Sequence, residues 1–339
     1  MNTEEEFIGV GKKEMQDQIV KPKIKFGQIV NKILYDRVML LIAMIFILVI
    51  TMSIAFPEFP TWPNFAAVML DIAQSGIITT GMLILLICGV FDLSAGNVLA
   101  LSGIVAAIFV QSLGAPVLIS ILAGVLTGLV AGLINGLIIT KFRINALIAT
   151  LATSGILRGI TQIISPSGVA NLPDSFKSFG QSKFLGLQSP FWYMFIIAII
   201  VWFLLSRSRF FRQFYYLGSN QKAATLSGIN THTVIIAAFT IMGTLAGFAG
   251  VLLASRLSNA VLLAGTGVEM RAITAAIVGG ASLSGGKGTV FGALLGVLFV
   301  SLIQNALIIM RVPVFYQGIV VGLVLLVAIG IDQFGHSNK

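Results

Sequence analysis

Ten apolar runs, most of them near twenty residues long, recur along this chain and leave few folds open to it. The hydrocarbon core of a bilayer takes about 20 apolar residues of helix to cross. Only helices and closed barrels satisfy their own backbone there, and runs of this length are helical. They lie at Val38 to Phe56, Phe65 to Ile87, Asn97 to Leu113, Pro116 to Ile139, Ala146 to Ile164, Phe191 to Leu205, Thr233 to Leu253, Val268 to Val278, Thr289 to Met310 and Val314 to Ile331. The eighth is too short to cross alone and is expected to be a half-helix or to extend through polar residues. The predicted fold class is all-α: a polytopic membrane protein of about ten transmembrane helices over residues 38–331, with tails at 1–37 and 332–339.

Composition excludes the common alternatives. With 57% hydrophobic and 10% charged residues, the chain would leave large sticky patches as a soluble enzyme or nucleic-acid binder. The formal net charge of +9 comes mostly from short basic clusters between the apolar runs, where cations act as topology signals and lipid-headgroup contacts. The first run begins too late and is too long for a cleaved signal peptide. A single cysteine, Cys88, allows no internal disulfide, and redox or metal chemistry is not expected.

Cytoplasmic loops carry the excess of Lys and Arg. With both termini inside and ten crossings, fifteen of the 21 cations fall on the inner side and six outside. This orientation puts the connection 165–190 outside, with prolines and glycines spaced as in a structured loop. The connection 206–232 falls inside and carries a short helix signal: Asn220 as N-cap, Gln221 to Ser227, and Gly228 as the stop. Gly124, Gly128, Gly132 and Gly136 recur at every fourth position, the pattern of close helix packing in lipid, with a pore wall as the lesser alternative. A faint echo links Asn135-Gly136-Leu137-Ile138-Ile139 with Asn305-Ala306-Leu307-Ile308-Ile309, five helices apart, as an inverted repeat requires.

Ionisable groups at membrane depth are functional candidates by default. Asp92 stands in the glycine-bounded break Gly89 to Asn97, where capping of the next helix by Asp92 or Ser94 outweighs a role as solute ligand. Glu269 and Arg271 open the short eighth segment, with capping and a place at the pathway mouth equally weighted. Asp71 and Arg158, near outer span ends, are expected to snorkel or pair. The stretch Ala281 to Gly288 looks superficially like a phosphate loop but lacks its first Gly and its final Ser or Thr. No paired-carboxylate, Ser/His/Asp or metal-ligand arrangement emerges.

Several pieces in order resemble the permease subunits of bacterial ABC importers for monosaccharides, the ribose/xylose/galactose class. They are Asp92-Leu93-Ser94-Ala95-Gly96, Ala149 to Thr153 with Arg158-Gly159, Gly218-Ser219-Asn220 through Asn230, and Ala264 to Glu269 through Gly279 to Ser284-Gly285-Gly286. The similarity covers about Asn64 to Asp332. It implies a non-enzymatic transport subunit in the bacterial inner membrane that dimerises with itself or a sister permease. It also implies a cytoplasmic ATPase that holds the ATP and magnesium, with no cofactor on this chain, and an external sugar-binding protein. The stretch Ala223-Ala224-Thr225-Leu226-Ser227-Gly228 then matches the coupling helix that seats in the ATPase. Three positions depart from the family pattern: Arg271 for the common Asp, Asn145-Ala146 for prolines, and Gln221-Lys222 for an acidic pair.

The expected function is inward movement of a monosaccharide or related neutral solute by alternating access. Gln74, Ser75, Thr79, Thr80, Thr150, Thr153 and Ser154 are the candidate pathway residues, and Asp92, Ser94, Gly96, Glu269, Ser284, Gly285 and Gly286 the candidate structural or gating motif. The alternatives are a permease of the same architecture for nucleosides or branched-chain amino acids, and an ion-coupled carrier that needs no ATPase. Topology is testable at once. In a Cys88→Ala background, Ser178→Cys is expected to react with an impermeant thiol reagent from outside and Ser219→Cys only from inside; reaction of both from one side would sink the ten-span reading.

Overall fold

The computed structural model describes residues 37–313, 316–320, 322–324 and 326–327. The expected tails and part of the tenth span lie outside these residues. Five helices come first: α1 (Arg37–Ala55), α2 (Trp62–Ile87), α3 (Ala95–Gln111), α4 (Val117–Lys141) and α5 (Ala146–Ile164). After them stand a short helix α6 (Asp174–Gln181) and the strands β1 (Lys183–Phe184) and β2 (Leu187–Gln188). The chain continues through α7 (Ser189–Arg207), α8 (Arg209–Ser219), α9 (Gln221–Leu226), α10 (Thr231–Leu257), α11 (Val268–Val278) and α12 (Val290–Ile309). Helical turns recur at 316–320, within the tenth expected span. Among the described residues seven helices are long and apolar enough to cross a membrane, and α3 is a shorter apolar one. The chain is an all-α polytopic membrane protein.

The second half of α2 is apolar nearly all round, and such a stretch belongs in the middle of a bundle. Every residue from Gly76 to Ile87 is buried, with α7, α10, α11 and α12 packed around it. α4 is different. Its outer stripe of Leu118, Leu122, Leu126, Val130 and Ile134 is exposed, the normal face for lipid, while its glycine row is buried.

That row brings α4 against α10 backbone to backbone. A Cβ on Gly128 would collide with the carbonyl oxygen of Gly243, and one on Gly132 with that of Phe239. Lipid supplies little hydrophobic drive between helices, so attraction comes from dispersion contacts that small residues bring within range. The spacing of four keeps the glycines on one helix face. Packing, not a pore wall, accounts for Gly124, Gly128 and Gly132.

The 165–188 connection is folded. Val169 pairs with Ala260 as an isolated bridge, and Ser255 Oγ donates to the Phe176 carbonyl over the last turn of α10. Leu185 and Gly186, both at positive φ, make the two-residue turn of the β1–β2 hairpin. Gly186 sits against Trp62 at the start of α2, while Ile87 at the far end of α2 meets Gly218 of α8. The 165–188 and 206–230 connections therefore mark opposite ends of the bundle. Gly132→Leu is expected to force α4 from α10 and cost about 1–3 kcal/mol as overpacking, read as a lower unfolding temperature in detergent; an unchanged midpoint would show that this contact carries no stability.

Candidate solute cavity and coupling site

At the 165–188 end, α2, α10, α11 and the connection between α10 and α11 enclose a cavity of about 310 Å³. Asp71, Gln74 and Ser75 project into it from one face of α2, spaced i, i+3, i+4, and Arg271 enters from α11. The opposite wall is apolar, with Leu253, Leu257, Leu263 and Val268. Asp71 Oδ2 accepts a hydrogen bond from Ser301 Oγ of α12 at 2.6 Å, and Arg271 donates to Gln304 Oε1 at 3.4 Å. One wall can therefore exchange hydrogen bonds in both directions while the other offers an apolar face.

Gln74 and Ser75 line this cavity; the other five predicted pathway residues do not. Thr80 donates to the Gly76 carbonyl of its own helix at 2.7 Å, and Thr79 Oγ1 is buried without a hydrogen-bond partner among the described residues. Thr150 and Thr153 bond backbone oxygens of α5, at Ala146 and Thr150. Arg271 takes the pathway-mouth place that its helix-opening position left equally weighted with capping, whereas Asp71 was expected only to snorkel or pair. The spacing of Asp71 with Gln74 and Ser75 on one helix face was the available signal.

Thr150 and Ser154 instead tether α5 to the break before α3. Thr150 Oγ1 accepts from the Leu93 amide at 3.2 Å, and Ser154 Oγ accepts from Asn97 Nδ2 at 2.7 Å. Within the break Asp92 is fully buried, and its Oδ1 accepts from both the amide and the hydroxyl of Ser94, at 2.7 and 2.6 Å. Asn135 of α4 donates to that same Ser94 hydroxyl at 2.8 Å. Ser94 occupies the N-cap position but makes no side-chain bond to the helix. The expected capping is thus replaced by a turn that Asp92 clips to itself, leaving Ser94 Oγ to receive α4. Gly96 lies against the Gly265 carbonyl and the Glu269 carboxylate, so the α3 start and the first turn of α11 meet with no room for a side chain. Glu269 stands in that first turn, as its helix-opening position predicts.

At the other end, α9 forms with its predicted signals. Asn220 Oδ1 accepts from the Ala223 amide at 3.0 Å, and Gly228 takes a φ of +81° just past the helix. Its two apolar positions split. Ala224 is buried at 4% exposure within this chain, whereas Leu226 is 89% exposed beside exposed Ala223, Thr225 and Ser227. The match to a coupling helix counted Ala224 among the residues that seat in the ATPase, and its burial corrects that: Ala224 anchors the helix within this chain and Leu226 is presented.

Just before α9 three segments touch backbone to backbone. The Gly286 amide donates to the Ile87 carbonyl at 2.8 Å, and a Cβ on Gly218 would collide with that oxygen. Gly285 packs on Gly218, and Tyr215 of α8 donates to the Gly288 carbonyl at 2.9 Å. This joint ties α8 to the end of α2 and to the 279–289 connection between α11 and α12. The joint also gives Ser284, Gly285 and Gly286 their place: Gly285 and Gly286, at φ +88° and +72°, form the turn that enters it.

Residues 64–329 match a family described as branched-chain amino acid transport system / permease component. The chain is 38% identical over 298 residues to the ribose import permease protein of Haemophilus influenzae, covering 86% of this chain and 92% of that one. It is 40% identical over 292 residues to the ribose import permease protein of Bacillus subtilis, covering 85% and 90%. Against the L-arabinose transport system permease protein of Escherichia coli it is 35% identical over 320 residues, covering 94% and 95%. No solved structure matches.

Proposed function

The chain belongs to the family of branched-chain amino acid transport system permease components, and on that premise we propose that it is the membrane-spanning subunit of an ATP-driven importer for a monosaccharide. The observation that carries this reading is the similarity, over most of both chains, to permeases named for ribose and L-arabinose. It acts as a transport subunit and not as an enzyme. The family name keeps branched-chain amino acids as the second reading.

The cavity supports the sugar reading on physical grounds. Its volume falls within the range of small-molecule sites, about 300–1,000 Å³. A sugar ring has an apolar C–H face and a rim of hydroxyls that both donate and accept. Leu253, Leu257 and Leu263 suit the face, and Asp71, Gln74, Ser75 and Arg271 suit the rim. In this proposal the 165–188 end faces outside and receives solute from a binding protein, while the 206–230 end faces the cytoplasm. A second permease subunit, identical or related, completes the translocation unit.

Leu226 is the proposed contact with the ATPase, because an apolar side chain so exposed beyond the membrane suits a hydrophobic cleft on a partner. Leu226→Asp is expected to leave the subunit in the membrane at normal level but to abolish ATPase co-purification and uptake. Ala224→Glu, which forces a charge into a buried site, is expected to lower the amount of folded subunit itself. Normal co-purification and uptake with Leu226→Asp would reduce α9 to a simple connection.

Asp71→Ala removes a charged hydrogen-bond acceptor and is expected to raise the solute concentration for half-maximal uptake by about tenfold or more, with ATPase docking intact. Wild-type uptake in this variant would remove the cavity from the pathway. Uptake is further expected to persist when the proton gradient is collapsed and ATP maintained; failure there would favour an ion-coupled carrier.

A further inference from the structure

A second hollow lies at the opposite end from the Asp71 cavity, where α7 ends and α12 begins. It holds about 550 Å³, and its polar lining comes from Ser206, Arg212, Tyr215, Tyr216 and Thr289. An adjoining cavity of about 210 Å³ is lined only by apolar side chains, among them Phe195, Ile199 and Leu294. Trp202, Val290 and Phe291 line both, so the two form one cleft with a polar head and an apolar stem. Phe195, Ile199 and Trp202 fall on one face of α7, and Phe291 and Leu294 on one face of α12.

Its dimensions fit one leaflet. From Ser206 back to Phe195 is eleven helical residues, about 16 Å at 1.5 Å each, against about 15 Å for half the hydrocarbon core. The stem is open to the side, with Phe195, Ile199, Trp202 and Phe291 between 47% and 61% exposed. The head is positive. Arg212 is exposed and has no ion pair among the described residues. No Asp or Glu occurs from Ser206 to Asn230 or from Gly279 to Val290, while Arg207, Arg209 and Lys287 do. Phe210, Phe211 and Phe214 of α8 cluster with ring centroids 5.3–5.9 Å apart, giving that helix an aromatic inner face and a basic outer one.

We propose that this cleft binds one glycerophospholipid with an anionic headgroup, taken from the leaflet at the 206–230 end. The Arg212 guanidinium and the Tyr216 and Thr289 hydroxyls receive the phosphate, and one acyl chain runs along Phe195, Ile199 and Leu294. Charge complementarity at the head and continuity with an apolar stem of leaflet length commit the site to a lipid and not to a soluble anion. The lipid would brace the start of α12 against α8, whose Tyr215 holds Gly288.

Trp202 reports on the site directly. In a Trp62→Phe, Trp192→Phe background it is the remaining tryptophan, and phosphatidylglycerol brominated in its acyl chains is expected to quench it saturably in phosphatidylcholine nanodiscs. Brominated phosphatidylcholine is expected to quench in proportion to its mole fraction, as a lipid without a specific site does. Arg212→Gln is expected to reduce the preference for phosphatidylglycerol about fivefold. Equal quenching by both lipids, or an undiminished preference in Arg212→Gln, overturns the proposal. So does release of the quenching by millimolar inorganic phosphate, which would make a free anion the ligand. Native mass spectrometry of the unaltered, partly delipidated protein needs no variant: selective retention of phosphatidylglycerol supports the site, and its loss in step with phosphatidylcholine refutes it.

Discussion

The contact between α4 and α10 sets the spacing on which the rest of the bundle depends. Water cannot drive two apolar helices together where the solvent is itself hydrocarbon, so the pair must gain from direct contact. Gly128 and Gly132 give that contact by letting the backbones of α4 and α10 touch. α3 lies across the same pair, with Gly103 against the Gly250 carbonyl and Gly250 against Leu99. Three helices thus form a close-packed block. α10 also borders the cavity through Leu253 and Leu257, so one wall of the candidate site belongs to that block.

The polar contacts add register to this packing. Asn135 reaches from α4 to Ser94, and Asn305 reaches from α12 to Asn64 through reciprocal amide hydrogen bonds of 2.6 and 3.2 Å. Each of the two Asn residues in the sequence echo therefore fixes its helix to the start of another. Hydrogen bonds of this kind between membrane helices contribute about 0.6 kcal/mol on average. They select one sliding position among several that apolar surfaces alone would tolerate.

Much of the fold was legible in the sequence because spans and caps are local. A run such as Val117 to Lys141 declares its helix by length and apolarity, and Asn220 with Gly228 brackets α9 within nine residues. The site was less legible because its partners are remote. Asp71 reads as a stray surface charge until Ser301, 230 positions later, is seen beside it. The hydroxyls of Thr150 and Ser154 suggested a pathway, but their partners Leu93 and Asn97 make them a tether, and nothing on α5 alone distinguishes these uses. Ala224 and Leu226 sit two positions apart on a helix of six residues, too short for periodicity to separate the inner face from the outer.

The joint of Ile87, Gly218 and Gly286 differs in kind from the exposed tip formed by Leu226. Side chains can be exchanged one at a time, and a contact made by a side chain can drift in shape with its partner. A contact made by three stretches of backbone has no such freedom, since any substitution at Gly218 adds atoms where the Ile87 carbonyl already stands. The two lie a few residues apart and answer to opposite requirements. A change at Gln221, Lys222 or Leu226 alters only what the subunit presents to a partner, while the joint behind them leaves no room for a change at Gly218.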